Sequence, residues 1–325
     1  MKKIIFINRN QVAGFSIYKV SKPIIDRIEN KENLFLPKHG GSLIVLLQNL
    51  YFILKNRQRG AIHHITGDVH YGILALLGYK SVLNVHDTVS LDFNQSSKLK
   101  KRLIEYIWYR LPLRLATKVT CISEQTKLSL EKLTKRKDIQ VIHDPIDTTL
   151  RPKELAPISE YPKILFIGTK ENKNLIRCFE ALKDIKCQIT IVGKLKGNQI
   201  DKLHELDLKY HNKWNLSDEE LNEEYYNCDI VSFCSLYEGF GMPALEANQV
   251  GRPVLCSDIP VLKEVAGEAA CYANPYDVSS ICEAYHKLIE NDSYRRQLVD
   301  NGRKNVKRFL PDNIIEEWID LYSKL

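Results

Sequence analysis

Short runs rich in β-branched and apolar residues alternate along this chain with longer segments of helical spacing. The first five read "KIIFIN" at 3–8, "AIHHIT" at 61–66, "SVLNVHD" at 81–87, "KVTCIS" at 118–123 and "IQVIHD" at 139–144. Strands separated by helix-length crossovers pair in parallel, because the chain must be carried back across the sheet before the next strand can start. A connector then intervenes, "DPIDTTLRPKELAPISEYP" at 144–162, and the same grammar restarts with "KILFIG", "CQITIVG", "CDIVSFC" and "RPVLCS". Pro145, Pro152, Pro157 and Pro162 withhold ladder donors and bias their predecessors toward extended backbone, which makes a poor sheet and a good hinge. A length of 325 residues accommodates two domains of roughly 150 residues each. The expectation is therefore an α/β domain over residues 1–150 and a second over 151–310. In the closing stretch "LPDNIIEEWIDLYSKL", Ile314, Ile315, Trp318, Ile319 and Leu321 or Tyr322 recur at helical spacing behind an Asp312 cap. This helix, 311–325, needs a surface to cover.

Hydrophobic residues make up 44% of the chain and charged residues 27%, which excludes the disordered and fibrous classes. Eight cysteines without a C-x-x-C pair, and a start "MKKIIFINRN" lacking a long apolar segment, predict reduced thiols and a cytoplasmic protein. The longest apolar run, "LIVLLQNLYFIL" at 43–54, is broken by Gln48 and Asn49 and falls short of the roughly 20 residues needed to span a bilayer. Charge is unevenly placed. Residues 1–150 hold 24 Lys and Arg against 12 Asp and Glu, net +12, and the remainder holds 23 against 28, net −5. Part of that basicity falls in "SSKLKKRLIEYIWYRLPLRLATK" at 96–118, where Lys98, Lys100, Lys101, Arg102, Arg110 and Arg114 are mixed with Ile104, Ile107, Trp108, Tyr109 and Leu111. Cations with Trp and Tyr on amphipathic helices suit the surface of an anionic bilayer. The apolar members are equally read as core, and no nucleic-acid recognition motif accompanies the charge.

The stretch "SLYEGFGMPALEANQVGRPVLCSD" at 235–258 sets Glu238 and Glu246 around a Gly-Phe-Gly turn. Its spacing predicts a strand, a glycine turn, and a helix with Pro243 in its first turn and Gly251 past its end. A helix amino terminus presents unpaired N–H groups and partial positive charge, which suits phosphate, and Gly239 and Gly241 permit close approach. Glu246 lies about one turn in, where a carboxylate can accept hydroxyl hydrogens such as those of a ribose. The plainer alternative is two acids that stabilise a helix start. In "GTKENKN", Lys173 follows a strand and is placed to neutralise a diphosphate. "SVLNVHDTV" puts His86 and Asp87 at the carboxyl end of a strand, the edge where open α/β sheets hold ligands. His63, His64, Asp68 and His70 invite a metal reading, but adjacent strand residues face opposite sides, so His63 and His64 do not readily share an ion. "NRNQVAGFSIYKV" offers Gly14 alone, without a dinucleotide fingerprint, and Ser123 reads as a helix N-cap.

The run at 235–277, together with "NLSDEELNEEYYNCDIVSF", "KILFIGTKENKN", "VIHDPID" and the closing helix, resembles the GT-B retaining glycosyltransferases of family 4 over nearly all of residues 61–325. The resemblance implies two Rossmann-like α/β domains facing a central cleft, with the final helix crossing back to the first. It assigns Glu238 to the donor sugar, Gly239, Phe240 and Gly241 to sugar and phosphate, Glu246 to the nucleotide ribose and Lys173 to the diphosphate. His86 falls beside the donor sugar and Gly14 near the phosphates or acceptor. Thr169 stands where that family commonly has an arginine, and Asn215 and Leu216 border the base. The implied reaction moves a hexosyl unit, with retention, from a nucleoside-diphosphate sugar to a glycan acceptor, lipid-linked, in surface polysaccharide synthesis. Neither metal nor another cofactor is implied, and the expected partners are the donor, the acceptor and an anionic membrane surface at the inner face, without nucleic acid. Two other readings stay open: an epimerase or phosphorylase on the same scaffold, and a non-catalytic basic module that binds nucleic acid or membrane.

Overall fold

The computed structural model describes residues 2–13, 16–88 and 102–325; Gly14, Lys98, Lys100 and Lys101 lie outside the described residues. The chain divides into two compact units, Met1–Pro145 with Phe309–Leu325, and Ile146–Arg308.

In the first unit the strands are β1 (Ile4–Asn8), β2 (Lys31–Phe35), β3 (Ile62–Ile65), β4 (Lys80–Val85), β5 (Lys118–Cys121) and β6 (Gln140–Val141), ordered β2-β1-β3-β4-β5-β6 and all parallel. In the second they are β7 (Lys163–Ile167), β8 (Gln188–Val192), β9 (Tyr210–Lys213), β10 (Ile230–Phe233), β11 (Val254–Ser257) and β12 (Cys271–Ala273), ordered β12-β11-β10-β7-β8-β9 and again all parallel. Both are doubly wound α/β sheets. Central strands are covered on both faces, so their apolar runs are continuous; β1, β3 and β10 are buried at every residue.

β1 shows how one strand serves two layers. Ile5 and Ile7 join the cluster that includes Ile53, Tyr71 and Leu113, whereas Ile4 and Phe6 face Ile24, Ile25 and the closing helix Pro311–Ser323. That helix supplies Ile314, Ile315, Trp318, Leu321 and Tyr322 to the first unit. Tyr322 Oη lies 2.6 Å from His64 Nδ1, and the Trp318 ring lies tilted against the same imidazole, 4.7 Å between ring centres. Burial drives the His64 pKa down to about 3, with the neighbouring His86 adding to the shift, so this imidazole is a neutral core group. Asp312 is not the cap: Leu310 holds that position, Pro311 opens the first turn, and the Asp312 carboxylate pairs with Arg27 at 2.8 Å. Ser123 caps the helix Glu124–Glu131 as expected, its Oγ accepting from Thr126 N at 3.1 Å.

Of the aromatic members of 96–118, Trp108 and Tyr109 are core, whereas Tyr106 is 52% exposed. Tyr109 and Leu113 are buried, and Trp108 packs edge-on against Tyr71 at 5.0 Å. Among the described residues no helix is long and apolar enough to cross a membrane. Trp318→Ala is expected to cost about 3–5 kcal/mol by emptying a buried aromatic site. Ile319→Ala, exposed on the same helix, should change stability by less than about 0.5 kcal/mol. Urea unfolding followed by far-ultraviolet circular dichroism measures both.

Candidate active site

In the second sheet β7 pairs with β8 on one side and β10 on the other, so the chain leaves β7 one way and returns across it. The loops at the carboxyl ends of β7 and β10 therefore meet at the point where strand order reverses, the place where such sheets open a crevice. Leu236 N donates to Asn172 O at 2.7 Å, and Asn172 Nδ2 donates to Tyr237 O at 3.0 Å and reaches Glu238 Oε1 at 3.4 Å. Between these stitches Lys173 Nζ donates to Glu238 Oε1 at 2.7 Å and stands 4.5 Å from the centre of the Phe233 ring. The two side chains are only 17% and 14% exposed, so removing either partner leaves a charge that water reaches poorly. Gly168, at φ +91°, makes this possible: a Cβ there would lie 2.9 Å from Lys173 Cε.

The predicted glycine turn leads into the helix Met242–Val250, with Pro243 in its first turn and Gly251 in left-handed conformation past its end. Gly241 has φ +123°, and a Cβ on it would meet Leu262 Cδ2 at 2.6 Å, so no other residue fits without displacing Leu262. Phe240 is buried. One turn into the helix, Glu246 Oε2 accepts from Tyr225 Oη at 2.6 Å. Burial and the adjacent carboxylate hold the Tyr225 phenol well above its usual range, so it remains a donor that fixes the Glu246 side chain. Thr169 Oγ1 donates to Lys194 O at 2.7 Å, tying the β7 loop to the β8 loop. Asn215, left-handed and exposed, and Leu216, half-buried, lie past β9, two strands from β7. The structure thus joins Lys173, Glu238 and the glycine turn in one place, fixes Glu246 separately through Tyr225, and sets Asn215 and Leu216 apart.

His86 belongs to the first unit. Its Nε2 lies 2.8 Å from Thr66 O and 3.4 Å from the Asn84 amide, and its Nδ1 lies 3.4 Å from Asp144 Oδ2. Thr126 Oγ1 donates to its main-chain carbonyl. Gly67, at φ +142°, admits the ring, since a Cβ there would come within 2.6 Å of His86 Cδ2. Burial lowers the His86 pKa, but the Asp144 charge, its hydrogen bond and the Thr66 carbonyl outweigh burial, with Asp87 adding to them, and the net shift is upward. Acceptors thus face both ring nitrogens, Thr66 O at Nε2 and Asp144 at Nδ1. The other histidines have structural partners: His63 Nε2 accepts from Gln58 N, His64 meets Tyr322, and His70 Nδ1 lies 3.1 Å from Trp108 O. Among the described residues no group of three His, Cys, Asp or Glu side chains is placed to hold a metal ion. Sequence reasoning missed Asn172, Tyr225 and Asp144. Each lies inside a quoted motif, but the partner it serves is 65, 21 or 58 positions away.

Residues 147–305 match the family described as Glycosyl transferases group 1, and residues 18–150 match Glycosyltransferase Family 4. O-antigen chain mannosyltransferase B of Escherichia coli is 36% identical over 108 residues, covering 33% of this chain and 28% of that protein. The chain therefore spans less than a third of that relative's length. O-antigen chain mannosyltransferase RfbU of Salmonella typhimurium is 25% identical over 264 residues, 72% of this chain and 71% of that protein. The structure of Anabaena HepE in complex with UDP and glucose matches with TM-score 0.77 and 16% identity over 100% of both chains, a likeness of fold.

A histidine whose folded pKa is raised contributes stability below its unfolded value of about 6.5, and that contribution fades as pH climbs through the folded value. Stability should accordingly fall as pH rises above 6.5, and Asp144→Asn should flatten this slope. Urea midpoints across pH 6 to 8 test it, and an unchanged slope in the variant would remove Asp144 as the cause.

Proposed function

The chain belongs to the family 4 glycosyltransferases and has the GT-B fold, and on that premise we propose that it is a metal-independent, retaining hexosyltransferase. Its donor is a nucleoside-diphosphate sugar, with a mannosyl donor the first choice because two relatives are named mannosyltransferases. Its acceptor is a lipid-linked glycan in surface polysaccharide synthesis, a reading that the O-antigen names of those relatives and the net charge of +12 on residues 1–150 both support.

The observation that carries the proposal is the 2.7 Å pair of Lys173 and Glu238 at the strand-order reversal, just ahead of the helix Met242–Val250. As the glycosidic bond breaks, the sugar becomes oxocarbenium-like and the leaving diphosphate gains negative charge. The Lys173 ammonium and the helix amino terminus meet that charge in place before it develops, so little reorganisation is required at the moment of reaction. Before donor binds, Glu238 holds the ammonium. A diphosphate competes for it and releases the carboxylate toward the sugar hydroxyls. Glu246, fixed by Tyr225, accepts the ribose hydroxyls; a carboxylate has about four lone-pair sites and accommodates both. The acceptor proton passes to the departing phosphate oxygen on the same face, so no dedicated protein base is needed.

A thermal-shift screen against UDP-, GDP-, dTDP- and ADP-sugars tests the donor site. One base should stabilise the protein by about 2.7 kcal/mol at 100 times its dissociation constant, and Glu246→Ala should lose that shift. No shift with any sugar nucleotide would leave the two glutamates as helix-start acids. Turnover in Glu238→Ala should fall roughly 100- to 1,000-fold, the scale of losing one preorganised polar group at a reacting centre. The wild type should retain activity in EDTA. Loss of activity that magnesium or manganese restores would end the metal-independent reading.

A further inference from the structure

The helix Leu43–Asn56 is apolar nearly all round, yet only one side of it is covered. Its underside is fixed. Ile53 joins the core, and the buried Asn49 amide accepts from Lys38 N and donates to Lys38 O and to Tyr71 Oη. On the other side Leu43, Ile44, Leu47, Tyr51 and Leu54 are 72%, 69%, 57%, 58% and 43% exposed. At 3.6 residues per turn these five fall within an arc of about 100° and extend along about 16 Å of helix. Isolated exposed leucines need no explanation, but a contiguous stripe of large apolar side chains on a rigid helix marks a surface that something covers.

The surrounding charge says what. No carboxylate occurs between Glu32 and Asp68, whereas that interval holds Lys38, Lys55, Arg57 and Arg59. The two flanking acids are themselves paired, Glu32 with Lys3 at 2.6 Å and Asp68 with Arg9 at 2.8 Å. Lys55 borders the stripe, its ammonium 4.7 Å from the Tyr51 ring centre. A second copy of the chain seated on this face would set like charges against each other. An anionic bilayer offers apolar depth for the stripe and phosphate for its rim.

We propose that the exposed face of the helix Leu43–Asn56 is the surface by which this protein docks on an anionic lipid bilayer. The stripe enters the boundary between headgroups and acyl chains while Lys38, Lys55 and Arg59 meet the headgroup phosphates. The inference deepens the reading of a lipid-linked acceptor and rests on it for its purpose. Its location differs from the stretch 96–118, whose Trp108 and Tyr109 are taken up by the core.

Co-sedimentation of the full chain with vesicles tests the proposal. Vesicles containing phosphatidylglycerol should bind it, pure phosphatidylcholine should bind it far less, and high salt should weaken the association. The double variant Leu47→Ser, Tyr51→Ser should bind at least about tenfold more weakly with an unchanged melting temperature, because both side chains are exposed. Lys55→Glu should weaken binding about fivefold or more without touching the apolar stripe. Leu128→Ser, an exposed leucine on another helix of the same unit, should bind like the wild type. No binding to anionic vesicles, wild-type binding by both variants, or a dimer that the double variant dissociates would overturn the proposal. Thermal shift by sugar nucleotides, run on the same proteins, separates the two readings: a donor shift without vesicle binding sinks the docking surface alone, and vesicle binding without a donor shift sinks the enzymatic reading alone.

Discussion

β7, the first strand of its unit, lies inside its sheet between β8 and β10. The chain must leave it in one direction and later return on its other side, and the two loops above the strand ends are thrown together as a result. Backbone groups past the end of a strand have lost their ladder partners and need new ones. Asn172 supplies them, its carbonyl accepting from Leu236 N and its amide donating to Tyr237 O. The chemistry of the site is thus a by-product of sheet topology: the loop carrying the cation and the loop carrying the carboxylate are forced into contact by strand order.

The two units solve the same problem in the same way. Each keeps a basic side chain and a carboxylate together in a partly water-excluded place at the carboxyl edge of its sheet, Lys173 with Glu238 and His86 with Asp144. In each, a glycine at positive φ makes room for the basic group, Gly168 under the lysine stem and Gly67 against the imidazole. The two pairs differ in their basic groups. Lys173 brings a compact ammonium on a flexible stem, whereas the His86 ring has Thr66 O at one nitrogen and Asp144 at the other; burial lowers its pKa, but these partners outweigh burial and the net shift is upward.

Much of this was legible in the chain. The strands at 4–8, 62–65, 80–85, 163–167, 188–192, 230–233 and 254–257 coincide with apolar runs, because a strand buried on both faces has no use for polar residues. Three strands were invisible, β2 (KENLF), β9 (YHNK) and β12 (CYA), and all three are sheet edges. An edge strand makes one ladder and needs no β-branched run, which hid these three; β6, also an edge, was read because its stretch IQVIHD happens to carry one. At the site, the glycine turn, Glu238, Glu246 and Lys173 could be read locally, since a turn and a helix start are written in consecutive residues. Asn172, Tyr225 and Asp144 could not, because their roles exist only once strands far apart in sequence are side by side. Trp108 and Tyr109 were left between core and lipid surface for the opposite reason: composition cannot say which side of a helix the fold will cover.

The return of the final helix to the first unit has a bearing on how the molecule is made. Residues 146–308 form a continuous stretch and leave the ribosome with every strand and helix of their sheet. The first unit, although translated earlier, lacks Ile314, Ile315, Trp318, Leu321 and Tyr322 until residues 309–325 emerge. Until then Ile4, Phe6, Ile24 and His64 line an open apolar trough. Order of synthesis and order of completion are therefore inverted for the two units, and apolar residues of the first stay uncovered while the second is made.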